Sequence, residues 1–145
     1  RWMIAAIADS EEFAPAKAVL EDILDTPISP ELLPPDESGK ISQYTEDLVG
    51  PYALHDFFLY YTLRFGFAPR KIFTLACRAF EGDFDGETVK KWLKAFYRRF
   101  FTQQFKRSCL PDGVKVGSVC LSPRGDWRMP SDAVGRIWLQ EVEQL

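Results

Sequence analysis

Between Asp85 and Gln104 apolar side chains recur every three or four residues: Val89, Trp92, Leu93, Phe96, Phe100 and Phe101. Lys90, Lys91, Lys94 and Arg98 take the positions between them. That period is helical, so the stretch reads as an amphipathic helix over Gly86–Gln104, roughly 28 Å long at about 1.5 Å per residue. Asp85 has the side chain of a good N-cap. A helix with this much aromatic surface on one face must be covered, and the rest of the chain is constrained by that requirement.

The covering elements are legible on both sides. Pro51 opens a helix whose Leu54, Phe57, Phe58, Tyr61 and Phe65 form a wide apolar stripe, and Gly66 suits its C-terminal cap. Pro69 starts another, through Ile72, Phe73, Ala76 and Phe80. Ser131 is placed to cap a last helix with Val134, Ile137, Trp138, Val142 and Leu145 on one face. At the other end, Trp2–Ala8 reads as a short helix, Asp9–Ala14 as a polar break, and Pro15 as the opening of a helix with Val19, Leu20, Ile23 and Leu24. This second helix must stop before Thr26-Pro27, because the residue preceding proline avoids helical dihedrals. Val116–Leu121 has β propensity but length for an edge strand at most.

The expected fold is therefore mainly α, about five helices joined by long loops. Its segments are helices over 1–24, a lid-like loop over 25–51, a helical core over 52–107, a basic loop over 108–130 and a C-terminal helix over 131–145. At 145 residues the chain is one domain's worth, long enough to bury a core. It begins at Arg1 with apolar residues immediately following, which is expected of a segment of something longer.

Two loops stand out. DTPISPELLPPDESGKIS (Asp25–Ser42) holds four prolines and one glycine in eighteen residues, the composition of a functional lid or a linker. Phe96–Asp132 crowds Arg98, Arg99, Lys106, Arg107, Lys115, Arg124 and Arg128 among aromatics, opposed by only Asp112, Asp126 and Asp132. The polarity is strong: residues 1–50 carry three basic and eleven acidic side chains, residues 91–128 nine basic and two acidic. Guanidinium and ammonium groups at that density suit an anionic ligand, phosphate or carboxylate. A basic solvated helix face followed by a surface loop accounts for the same residues, and cations such as Lys106 and Arg107 also complement a helix C-terminus.

Several chemistries are excluded. There is no Gly-rich phosphate loop, no HExxH and no GxSxG. Cys77, Cys109 and Cys120 lack CxxC spacing and His55 is the single histidine, so no zinc set is available. The cysteines read as reduced thiols of a cytoplasmic protein, packed as small hydrophobes, and His55 as a structural hydrogen-bonder. No apolar run reaches the length of a membrane span. On residue chemistry alone the chain is a helical domain with an anion-binding basic surface and no catalytic residues of its own.

VLEDILDTPISPEL (Val19–Leu32), SQYTEDLVGPY (Ser42–Tyr52) and QFKRSCLPDGVKVGSVCLSPRGDWRMPSD (Gln104–Asp132) resemble the C-terminal part of glutamine-dependent NAD+ synthetases, in consistent order and spacing. The resemblance implies a parent with a doubly wound α/β synthetase domain of the ATP-pyrophosphatase type (adenine nucleotide alpha hydrolase-like), its parallel strands upstream of Arg1. Members carry a nitrilase-like glutaminase domain and an SGGxDS pyrophosphate loop; they adenylate the nicotinic-acid carboxylate of deamido-NAD+ and displace AMP with ammonia. ATP and Mg2+ are implied as cofactors of the parent. Deamido-NAD+, ATP and glutamine-derived ammonia are implied as its ligands, and a cytoplasmic homo-oligomer as its form.

Residue by residue, the resemblance implies that Lys106 (of FKR), Asp126 and Arg128 (of GDWR) line the deamido-NAD+ pocket, with Asp126 orienting Lys106. Ser29 and Glu31, in DTPISPEL, fall in the loop that closes over ATP, where ammonia-dependent relatives read PTADL. Glu46 fits the Q-x-x-E-x-x-x-G pattern from Gln43 to Gly50. Phe105 stands where short-form relatives have histidine. Neither SGGxDS nor the glutaminase cysteine motif occurs in the chain, so catalytic residues, metal ligands and autonomous cofactor binding are not expected of it. The competing possibilities are a phosphate- or nucleic-acid-binding helical module and a purely structural interaction domain. The acidic first fifty residues and a pI near 5.2 weigh against nucleic acid.

Overall fold

The computed structural model describes residues 2–26 and 49–145, which fall in two compact units, 1–45 and 46–145. Residues 27–48 of the lid-like loop, Ser29, Glu31 and Glu46 among them, lie outside the described residues. Where the length suggests one domain, each unit has its own packing.

In the first unit, α1 (Trp2–Ala8) and α2 (Lys17–Asp25) flank a 3-10 turn over Glu11–Ala16 that contains Pro15. Ser10 Oγ donates to the Ile7 carbonyl at 2.7 Å, closing α1, and Lys17 pairs with Asp9 at 2.8 Å across the turn. The second helix ends at Asp25 as Thr26-Pro27 requires. Its expected stripe divides. Leu20 and Leu24 are half-buried, whereas Val19 and Ile23 are exposed, as are Trp2 and Met3.

The second unit is built on α5 (Gly86–Thr102), capped as expected by Asp85, whose carboxylate accepts from the Thr88 N–H at 2.7 Å. Around it pack α3 (Tyr52–Phe65), α4 (Pro69–Ala79) and α7 (Arg136–Glu143), with the single-turn α6 (Phe105–Ser108) following α5. Gly66, with φ 63°, gives α3 its left-handed C-cap, and its N–H bonds the Thr62 carbonyl at 3.1 Å. The core is continuous from Leu54 and Phe58 through Ile72 and Ala76 to the α5 face of Val89, Leu93, Phe96, Phe100 and Phe101. Tyr97 joins it at 1% exposure, with its hydroxyl 3.4 Å from Thr62 Oγ1. His55 is structural: its Nε2 bonds the Val49 carbonyl, and burial lowers its pKa below the usual histidine value.

Three sequence expectations are corrected. The central helix stops at Thr102, not Gln104, because Gln104 turns inward at 3% exposure and spends its amide on the Met129 carbonyl at 2.9 Å. Ser131 caps nothing; it sits in a turn, and α7 begins after Gly135. A Cβ at Gly135 would come within 2.5 Å of the Phe101 ring, so the chain enters α7 flush against the core. The face of α7 also differs. Trp138 meets the Phe101 ring at 4.7 Å and Val142 is fully buried, while Val134 and Ile137 are each 72% exposed. The packed face of α7 runs instead through Trp138, Leu139 and Val142, which leaves Ile137 on the solvent side. Lys90 and Lys94, on the face of α5 beside the apolar stripe, fasten α7: Lys90 Nζ donates to the Leu145 carbonyl at 2.7 Å and Lys94 pairs with Glu143 at 2.8 Å.

No strand forms among the described residues. Val116 is 71% exposed with no partner strand beside it, and an isolated extended segment has nothing to satisfy its backbone but water. Among the described residues no helix is long and apolar enough to cross a membrane.

Candidate functional site

The end of α5, the turn of α6 and the loop over 109–130 bring the basic stretch together. Four of its seven cations are occupied by the fold, three of them from the loop and Arg107 from α6. Arg124 donates through Nε to Asp112 at 2.9 Å, through Nη1 to the Ser108 carbonyl at 3.4 Å and through Nη2 to the Leu110 carbonyl. Lys115 pairs with Asp126 at 2.8 Å. Arg128 Nε donates to the Pro123 carbonyl at 3.3 Å. Arg107 lies 4.5 Å over the Phe100 ring and donates through Nη2 to the Phe100 carbonyl at 2.9 Å. Exposed Arg98, Arg99 and Lys106 make no side-chain hydrogen bond or ion pair to a described residue.

The GDWR segment is held by a tight turn in which the N–H groups of Gly125 and Trp127 both donate to the Ser122 carbonyl, at 3.0 and 3.3 Å. Gly125 is required there, since a Cβ would overlap Cys120 Sγ. Beyond the turn, side chains alternate. Trp127 and Met129 pack inward, Trp127 5.8 Å from the Phe100 ring, whereas Asp126 and Arg128 face solvent. Behind the segment lies an apolar cavity of about 360 Å³, walled by Tyr97, Phe100, Phe101, Trp127, Met129 and Trp138 among others.

The expected partnership of Asp126 with Lys106 is not what forms. Asp126 holds Lys115, and its Oδ2 also accepts the Cys120 N–H at 2.9 Å. The physical reason is loop closure: Lys115 and Cys120 belong to the same loop as Asp126, while Lys106 stands on α6. The Lys115 hydrogen bond, then that of the Cys120 N–H, holds the Asp126 carboxyl down to about 2. An unfolded aspartate titrates near 3.9, so the depressed value means a contribution fully present above about pH 4 and lost as pH falls through about 2. An NMR titration of the Asp126 carboxyl carbon is expected to have its midpoint near 2, with the Cys120 amide shifting in step. A midpoint near the unperturbed ~3.9 would dissolve the pair.

The sequence left an anion-binding surface and a solvated basic face open for this stretch, and neither reading identified Gln104, Arg107, Lys115 and Arg124 as loop fasteners. The one signal for it was the presence of Asp112 and Asp126 within reach of a short loop. Cys77 and Cys120 are half-buried as expected; Cys109 is exposed, and all three are free thiols. Among the described residues no group of three or more His, Cys, Asp and Glu side chains could hold a metal ion.

No family model matches the chain. Among curated proteins, the glutamine-dependent NAD(+) synthetase of Mycobacterium leprae is 43% identical over 162 residues, and those of Mycobacterium tuberculosis and Mycobacterium bovis are 41% identical. Each match takes in 99% of this chain and 23% of the relative, so the chain spans about a quarter of the length of the curated relatives it matches. At 41–43% identity along nearly its whole length, the chain is a homologue of a segment of the glutamine-dependent NAD(+) synthetases.

Proposed function

We propose that the chain is the C-terminal segment of an ATP-dependent amide ligase that converts deamido-NAD+ to NAD+ with ammonia from glutamine. The observation that carries this reading is 43% identity along 99% of the chain. In it, Lys106 meets the nicotinate carboxylate of deamido-NAD+, and Asp126 and Arg128 form the adjoining wall. Ser29, Glu31 and Glu46 belong to a loop that closes over ATP, with the ATP cradle and Mg2+ ligands on the remainder of the parent. The parent works in the cytoplasm as a homo-oligomer. Support from geometry is specific to Lys106: it is exposed and makes no ion pair to a described residue, while Gln104 and Arg107 near it in sequence bond inward to Met129 and Phe100. A cation so placed stabilises a carboxylate through a charge-assisted hydrogen bond. A nucleic-acid module draws less support, since Arg107, Lys115, Arg124 and Arg128 are engaged within the fold.

In the full-length enzyme, Lys106→Ala is expected to lower kcat/KM for deamido-NAD+ about 10- to 150-fold, the equivalent of roughly 1.5–3 kcal/mol for a hydrogen bond to a charged group. The KM for ATP and the melting temperature should hold. Unchanged deamido-NAD+ kinetics would remove Lys106 from the pocket and leave it an ordinary solvated cation.

A further inference from the structure

Met129 is the point at which the GDWR segment is fastened to the helices, and it is held three ways. Its carbonyl accepts from the Gln104 amide at 2.9 Å, and its thioether sulfur lies 3.5 Å from Arg107 Nη2 and 3.2 Å from Trp127 Nε1. Gln104 and Arg107 sit on either side of Lys106, while Met129 and Trp127 alternate with Arg128 and Asp126. One latch therefore fixes two strips whose outward residues are the ones assigned to the deamido-NAD+ pocket. Gln104 and Arg107 both bond inward. Gln104 is buried, and Arg107 is stacked on Phe100 with its Nε closed off from solvent.

We infer that Gln104 and Arg107 are positioning residues for deamido-NAD+: through Met129 they fasten the segment that carries Lys106 to the segment that carries Asp126 and Arg128. The inference rests on the proposed role of Lys106 and adds to it. A fastener that only contributed to folding would act on the amount of native protein, not on the affinity for one substrate. A latch that positions Lys106 acts through Lys106, and its effect must vanish once that lysine is gone.

The test is a double-mutant cycle in the full-length enzyme, with deamido-NAD+ and ATP each varied. Arg107→Ala is expected to raise the KM for deamido-NAD+ by a factor no larger than the effect of Lys106→Ala, leaving the KM for ATP unchanged, and Arg107→Lys should recover part of the loss. On the Lys106→Ala background, Arg107→Ala should change kcat/KM by less than about twofold. Gln104→Met keeps side-chain volume while removing the donor to the Met129 carbonyl. It repeats the measurement if Arg107→Ala does not fold, with the same pattern expected. Additive losses, or an equal rise in both KM values, overturn the inference while leaving Lys106 in the pocket. A normal Lys106→Ala enzyme overturns both.

Discussion

The 145-residue polypeptide, given ATP, Mg2+, deamido-NAD+ and ammonia, is expected to make no NAD+. Its relatives are synthetases, but it spans 23% of their length, and the proposed reading places the ATP cradle and the Mg2+ ligands on the remainder of the parent. No SGGxDS loop is present to cradle a pyrophosphate, and the described residues offer no cluster of three metal-ligating side chains. What the proposed reading leaves to the candidate site is recognition, through an exposed lysine on α6 and the loop that Gln104 fastens through Met129. Binding a carboxylate without activating it lowers no barrier, because an interaction made equally in ground and transition states does not accelerate the chemical step. The assay should follow NAD+ by an enzymatic cycling reaction, with circular dichroism establishing that the helices are present. Turnover at even a small fraction of the full-length enzyme's rate would show that the ligase centre lies within these residues, and the assignment of roles would have to be redrawn.

How far the sequence reaches is clearest on α5. Its aromatic period located the core, and Asp85, Gly66 and Pro69 took the terminal positions that their chemistry dictates. Such features depend on local rules: period, capping oxygen, left-handed glycine, fixed proline φ. Tyr97 escaped although it falls four residues after Leu93, since its hydroxyl argues for the surface until Thr62 is seen within reach. The loop escaped for a different reason. Whether Lys115 or Lys106 holds Asp126 is decided by which side chain the turn at Ser122–Trp127 brings near, and that is a tertiary fact. Gln104 is the most instructive case. A polar residue continuing a helical pattern looks like one more solvated position, yet its burial ends α5 and anchors Met129. Charge density in the sequence therefore overstated the surface available to a ligand.

Gly50→Ala is expected to destabilise the second unit by about 2–6 kcal/mol, and the size of the effect can be divided between two causes. Gly50 has φ 98°, outside the range that L residues adopt readily, and holding a non-glycine residue in such a conformation costs about 1–3 kcal/mol. It also lies flat on α5: a Cβ there would overlap the Trp92 ring, and forcing an extra methyl into a packed site costs about another 1–3 kcal/mol. Gly82, in the turn between α4 and α5, has nearly the same φ at 95° but no atom within 4 Å of where a Cβ would stand. Gly82→Ala therefore incurs the backbone strain alone, and the difference between the two variants isolates the contact with Trp92. Urea unfolding followed by tryptophan fluorescence should place Gly50→Ala about 1–3 kcal/mol below Gly82→Ala, with similar m-values. Equal losses would mean that the Trp92 ring swings aside at no cost, and that the approach of Gly50 to α5 is not what joins the chain ahead of α3 to the core. A large gap would tie the glycine that ends the Q-x-x-E-x-x-x-G pattern to a packing requirement, four residues downstream of Glu46 and independent of any contact that Glu46 makes with ATP.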